Sequence, residues 1–140
     1  LGVPSYLISA TLLGVMAQRL VRTLCPHCRA ALPMDEEQRQ SWRVLARPWK
    51  ANEPSQIYRP VGCLECRMTG YSGRVGLYEI MVTSPELRKL IRPQLDIAKL
   101  REQAFREGMH PLRISGALKV ACGQTSLDEV VRVAPPADDQ

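Results

Sequence analysis

Two stretches, Cys25-Pro26-His27-Cys28 and Cys63-Leu64-Glu65-Cys66, hold four of the five cysteines in this 140-residue chain. Two thiolates separated by two residues can grip one metal ion from a single tight turn. A second such turn completes the tetrahedron that Zn²⁺ prefers and leaves no position open for substrate. The spacing therefore predicts a structural zinc site with Cys25, Cys28, Cys63 and Cys66 as ligands. The 34 residues between the pairs exceed the roughly 15–20 of the common ribbon pattern, so a standard zinc ribbon is not implied. Two other readings account for paired cysteines. Disulfides need an oxidising compartment, and no secretory signal stands before the first pair in these residues. A redox-active pair would use one CxxC and leave the other idle. His27 lies between two ligands of a shell that four cysteines already fill, so it is not assigned to the metal. Cys122 stands alone in an apolar helical stretch and reads as a small core residue.

Working outward, composition sets bounds. Hydrophobic content of 45% with 24% charged residues is that of a globular protein, long enough for one domain or two small ones. Aromatics make up only 5%, so Leu, Val, Ile and Ala must build the core. No stretch approaches the roughly 20 apolar residues needed to span a bilayer. The net charge of +5, from 19 Lys and Arg against 14 Asp and Glu, would suit nucleic acid or acidic lipid. The basic residues are nevertheless spread along the chain without interleaved aromatics or a nucleic-acid motif, which argues for solvated helix faces. The chain opens on Leu1 in mid-pattern, which points to a fragment of a longer polypeptide.

Between Pro4 and Leu24, apolar side chains at Leu7, Ile8, Leu12, Val15, Met16 and Leu20 follow helical spacing, with Pro4 suited to a first turn. Gly14 can interrupt that helix, and Val15–Leu24 also passes as a buried strand. Asp35–Ala46 reads as a helix with Trp42 and Leu45 inward. Pro48–Pro60 reads as loop with an extended piece at Ile57-Tyr58-Arg59. Gly70-Tyr71-Ser72-Gly73-Arg74 reads as a turn leading into a strand over Val75–Val82. The glycines at 70, 73 and 76 lack the strand-then-helix context of a dinucleotide fingerprint. From Ser84 onward the pattern is helical. Ser84-Pro85-Glu86 is a helix start. Ile97, Leu100, Ala104 and Phe105 share one side of a helix that stops at Gly108. Leu112–Ala121 and Ser126–Val133 form two more, the second opened by Ser126-Leu127-Asp128-Glu129 in capping-box form. The tail from Ala134 to Gln140 is expected to be disordered.

Taken together these segments resemble the secretion ATPases of type II secretion and type IV pilus assembly. The resemblance rests on Ala17-Gln18-Arg19-Leu20-Val21-Arg22 running into the first cysteine pair, then Gly62-Cys63-Leu64-Glu65-Cys66. It continues through Thr69-Gly70-Tyr71-Ser72-Gly73-Arg74-Val75-Gly76-Leu77-Tyr78-Glu79, Gly108-Met109, Leu118-Lys119, Gly123-Gln124-Thr125 and Glu129-Val130-Val131-Arg132-Val133. It covers residues 1 to about 133.

The resemblance implies an α/β, mainly helical fragment: the C-terminal portion of a RecA-like P-loop ATPase core with an inserted zinc subdomain and a C-terminal helical bundle. Residues 1–24 would end the ATPase core as its last helix and a late strand, which favours a break at Gly14; 25–66 would be the four-cysteine zinc-binding insertion, 67–83 would return a strand to the core, and 84–133 would form the bundle. The parent motor would be a homo-hexamer on the cytoplasmic face of the inner membrane. It would bind ATP and Mg²⁺ and work with inner-membrane platform or cytoplasmic-ring proteins. No Gly-x4-Gly-Lys-Ser/Thr occurs in these residues. Phosphoryl transfer needs that phosphate cradle and a held metal, so the fragment alone should not hydrolyse ATP. In the assembled ring Arg19, Arg22 and Arg74 would stand near nucleotide or a neighbouring subunit, or else form ordinary ion pairs. Ser115 departs from the family, which usually has an acid before Gly116. Two other functions stay open on the residues: a free-standing zinc module binding nucleic acid, which predicts salt-sensitive binding, and a thiol-redox protein, which predicts a reactive cysteine and no stable metal.

Overall fold

The computed structural model describes residues 2–48 and 51–135. These form a mixed α/β structure of six helices and four strands. In chain order they are α1 (Ser5–Thr11), β1 (Gly14–Leu24), β2 (Ala30–Pro33), α2 (Glu36–Ala46), β3 (Gln56–Arg59), β4 (Tyr71–Val82), α3 (Pro85–Leu90), α4 (Ile97–Arg106), α5 (Leu112–Ala121) and α6 (Leu127–Val133). β1 pairs with β4, and β2 pairs with β3. The chain divides into two compact units, Leu1–Ala17 with Glu79–His110 and Gln18–Tyr78 with Pro111–Gln140.

The helical spacing read from Pro4 onward breaks early. α1 stops at Thr11 and the chain is extended from Gly14, as the alternative strand reading allowed. That strand is not buried, however. Only Val21 and Leu24 are enclosed, while Val15, Met16 and Leu20 face outward. Their helical periodicity therefore carried no information about burial. β4 also starts earlier than expected, at Tyr71, so most of the segment read as a turn is strand.

In the first unit, Leu87, Ala104 and Met109 form a small core lined by Met81, Leu100 and Phe105. Ser84 caps α3 by accepting from the Leu87 N–H at 3.1 Å, and Asp96 caps α4. Ile97, grouped with the inward side of α4 in the sequence, is exposed in the structure, where it is the first helical residue after the Asp96 cap.

The second unit holds the larger core, in which Met34, Trp42, Leu45, Ala46 and Ile57 meet Ile114, Ala117, Val120, Leu127 and Val130. Helix α2 starts at a complete capping box. The Asp35 side chain accepts from the Gln38 N–H at 2.8 Å and the Gln38 side chain accepts from the Asp35 N–H at 3.0 Å. Its inner face delivers Trp42, whose Nε1–H donates to the Ala117 carbonyl at 3.0 Å inside α5. β2 and β3 run antiparallel with Ala30 opposite Arg59 and Pro33 opposite Gln56, which brings the two ends of the segment between the cysteine pairs together. That segment thus shares its core with α5 and α6. Residues 136–140 of the expected tail lie outside the described residues. Ala134, with which that tail was expected to begin, is buried beside Val21 and Leu77.

Candidate metal centre

Each cysteine pair sits on a turn closed by its own backbone. The Cys28 and Arg29 N–H groups both donate to the Cys25 carbonyl, at 3.4 and 3.0 Å. In the second turn Met68 N–H donates to Cys63 O at 2.7 Å, Arg67 N–H to Leu64 O at 3.2 Å and Thr69 N–H to Cys66 O at 3.2 Å. Making that turn this tight puts Arg67 and Met68 at φ 56° and 64°, left-handed values that non-glycine residues seldom take. The turns are joined where Cys25 N–H donates to Gly70 O at 2.9 Å. Gly70 has φ +82°, and a methyl group there would lie 2.4 Å from Pro60 Cβ, so no other residue fits.

This backbone places Cys25 Sγ 3.8 Å from Cys63 Sγ, Cys28 Sγ 3.8 Å from Cys66 Sγ, and Cys63 Sγ 3.7 Å from Cys66 Sγ. Four sulfurs about 2.3 Å from a tetrahedral zinc lie about 3.8 Å from one another. All four sulfurs are within 4.8 Å of each other, close enough to hold a metal ion. None is disulfide-bonded. Amide donors surround the sulfurs: Gly62 N–H reaches Cys28 Sγ at 3.3 Å, and Cys63 and Gly70 N–H reach Cys66 Sγ at 3.2 and 3.1 Å. Burial pushes the Cys66 thiol up. The amides of Cys63 and Gly70 and the thiols of Cys63 and Cys28 outweigh that effect and bring it down to about 6. A low thiol pKa favours the thiolate that a metal requires. His27 is exposed and outside the group, as the sequence assigned it. Cys122 corrects the sequence reading: it is exposed, not core, because it follows the last turn of α5 with Sγ 3.4 Å from the Lys119 carbonyl.

Beside the cysteines lies a polar cluster that the sequence did not reveal. Glu129, on α6, has a side chain only 1% exposed. It accepts from the Arg22 backbone N–H at 2.7 Å, from Arg22 Nε and Nη2 at 3.1 and 2.9 Å, and from Arg132 Nη2 at 2.7 Å. Burial pushes this carboxyl up, but Arg22 and Arg132 hold it down at about 2. The Arg22 guanidinium also lies 4.0 Å from the Tyr71 ring centroid, and Tyr71 OH shares a 2.8 Å hydrogen bond with Ser126 Oγ. The turn before α6 is bound to the same region, with Leu24 N–H donating to Gln124 O at 2.9 Å, Thr125 Oγ1 to Arg22 O at 2.7 Å and Arg29 Nη1 to Gly123 O at 2.5 Å. The capping box expected at Ser126 is half made. Ser126 Oγ accepts from the Glu129 N–H at 3.2 Å, but the Glu129 carboxylate turns to the arginines instead of back to its own helix. Of the three arginines singled out, Arg22 is thus an ion-pair partner, while Arg19 and Arg74 are exposed.

A family model described as type II/IV secretion system protein matches residues 1–132. The chain belongs to that family. It is 48% identical over 96% of its length to the type IV pilus assembly ATPase TfpB of Acinetobacter baylyi, covering 23% of that protein. It is 42% identical over 95% of its length to type II secretion system protein E of Aeromonas hydrophila, and 41% identical over 95% to type II secretion system ATPase E of Vibrio cholerae, covering 25% of each. The chain therefore spans about a quarter of the length of the curated relatives it matches. Among the described residues of this family member, no helix is long and apolar enough to cross a membrane.

Proposed function

We propose that this chain is the zinc-bearing C-terminal part of a hexameric secretion or pilus-assembly ATPase, and that its metal centre is structural. The observation that carries this reading is the sulfur spacing of 3.7–3.8 Å in a chain whose relatives are named as secretion and pilus ATPases. Zn²⁺ would contribute a four-thiolate cross-link with no position left for substrate. Cys25 and Cys28 anchor it from the end of β1, and Cys63 and Cys66 from the turn before β4. The protein's own part is to pre-form both turns, aim three amides at the sulfurs and pin the first turn to the second through Gly70. The phosphate-binding part of the RecA-like core, and the ATP and Mg²⁺ chemistry it performs, belong to the remainder of the parent protein at the cytoplasmic face of the inner membrane, while residues 1–24 and 67–83 of this chain complete that core. The cysteine-bearing segment serves as a rigid surface through which the motor meets its platform or ring proteins.

The test is zinc content in protein purified without added metal, together with folding before and after chelation. One zinc per chain with structure lost on removal supports the reading. Absence of zinc with readily alkylated cysteines sinks it. In a full-length relative, replacing the residue aligned with Cys63 by Ser should unfold the two turns and uncouple the motor from its partners. Coupling that survives this change would remove the docking role.

A further inference from the structure

We propose that Cys63 is a peroxide-sensitive modification site, oxidised first among the four clustered cysteines and then bonded to Cys25. This rests on the zinc-held reading above and adds to it how the four sulfurs differ. They are alike in spacing but not in surroundings. Cys66 Sγ accepts from the Cys63 and Gly70 amides at 3.2 and 3.1 Å, and Cys28 Sγ accepts from the Gly62 amide at 3.3 Å. Among the described residues no amide reaches Cys25 Sγ or Cys63 Sγ, whose contacts are with other sulfurs. An amide proton on a thiolate stabilises the charge and lowers the nucleophilicity of the sulfur. Cys25 and Cys63 are therefore the more nucleophilic pair. Burial separates these two. Cys25 is 1% exposed, whereas Cys63 is half-buried and is followed by Leu64 and Glu65, both exposed. Of the four, Cys63 alone is both open to a small oxidant and without an amide donor. Cysteine oxidation follows thiolate character and exposure, so the two criteria converge on one sulfur.

The partner follows from the same comparison. Two sulfurs lie next to Cys63 Sγ, Cys66 at 3.7 Å and Cys25 at 3.8 Å. Cys66 is held by two amides and Cys25 by none, so Cys25 is the better attacking thiolate. In the first step the Cys63 thiolate attacks hydrogen peroxide. An S–O bond forms, the O–O bond breaks and hydroxide leaves; the sulfur is oxidised to a sulfenic acid and the peroxide is reduced. In the second step the Cys25 thiolate attacks that sulfur. An S–S bond forms, the S–O bond breaks and a second hydroxide leaves, each hydroxide taking a proton from solvent to give water. Two of the four ligands are then consumed, and Cys28 with Cys66 do not complete the shell that a structural zinc requires. The new bond joins the same two turns that the metal joined. Residues 29–62 thus stay closed into a loop while the ion is out, and a thiol reductant with added zinc restores the original state.

The experiment treats the zinc-loaded chain carrying Cys122→Ser, which removes the exposed fifth thiol, with hydrogen peroxide. Zinc release is followed with a chromogenic chelator, sulfenic acid is trapped with dimedone, and modified cysteines are located by peptide mass mapping. The first dimedone adduct is expected on Cys63. Without dimedone, a Cys25–Cys63 disulfide should form in step with zinc release, and both should reverse on reduction with added zinc. Cys63→His keeps a metal-binding side chain in place and should slow the release about tenfold, whereas Cys28→His should leave it near the parent rate. A first adduct on Cys25, Cys28 or Cys66, a Cys63–Cys66 disulfide, or zinc retained under excess peroxide overturns the proposal, while one zinc per untreated chain leaves the structural-metal reading standing. The adduct map is read with all four clustered cysteines present, so it decides the matter even where a ligand variant fails to fold. A chain that purifies without zinc would overturn both readings.

Discussion

Glu129 meets two guanidinium groups and a backbone amide in a pocket that leaves its carboxylate almost no water. Because Arg22 remains half-exposed, the pair avoids the full cost of burying two charges, yet the carboxylate itself depends on its partners. Glu129→Gln keeps the shape and removes the charge, and should cost about 2 kcal/mol of unfolding free energy in urea titrations. The pH dependence has a definite sign. The folded-state pKa is lowered, to about 2 from the ordinary 4.5, so the contribution is complete above about pH 4.5 and fades as pH falls toward 2. The stability gap between the parent chain and Glu129→Gln should therefore narrow steadily on acidification across that window. Any metal held by the cysteines would be lost from both chains alike, so the gap isolates the carboxylate. A gap that stays constant would mean that Glu129 acts by packing alone. The sequence pointed away from this residue because Ser126-x-x-Glu129 already has a local explanation in the capping box, and because Arg22 lies 107 positions upstream.

At the scale of elements, the contact of α5 with α6 turns on one glycine. A methyl group on Gly116 would lie 2.3 Å from Val130 Cγ1, so the helices meet with no room for a side chain. Gly116→Ala gains helix propensity of about 1 kcal/mol but forces the helices apart, and overpacking of this kind costs about 1–3 kcal/mol. The expected outcome is a lower midpoint in thermal or urea unfolding, partly restored by Val130→Ala in the same chain. Trp42→Ala should cost about 3–5 kcal/mol, since it empties the α2–α5 interface and removes the bond to Ala117 O. Elements with complete local instructions were legible: Asp35 and Ser84 announced their helices, and Trp42 and Leu45 their inward face. β1 was legible only as one of two readings of Leu7 to Leu20, with the break at Gly14 coming from the family resemblance, and its exposure was not legible, because the apolar residues of a short helix and an exposed strand share one periodicity by coincidence. The cluster of four cysteines was legible from spacing alone. The surrounding amides, the Gly70 link and the arginine–glutamate cluster depend on tertiary approach, which spacing does not encode.

Across the second unit, the cysteine turns, β1 and the segment before α6 are joined by hydrogen bonds at Gly70, Gln124, Thr125 and Gly123. Removing a zinc held by the tetrad should therefore disturb residues that contain no ligand. Hydrogen exchange before and after chelation is expected to show lost protection in α6 as well as in both turns. Protection confined in its loss to residues 25–29 and 62–70 would show that the centre is energetically separate from the helices. The exposed thiol of Cys122 has a practical consequence here. Once the other four sulfurs are occupied by metal, it is the single position open to a maleimide dye. Labelling stoichiometry then reads metal occupancy directly, from one dye per chain in the loaded protein to five after stripping, and a fluorophore at that site reports on the end of α5 without any engineered cysteine.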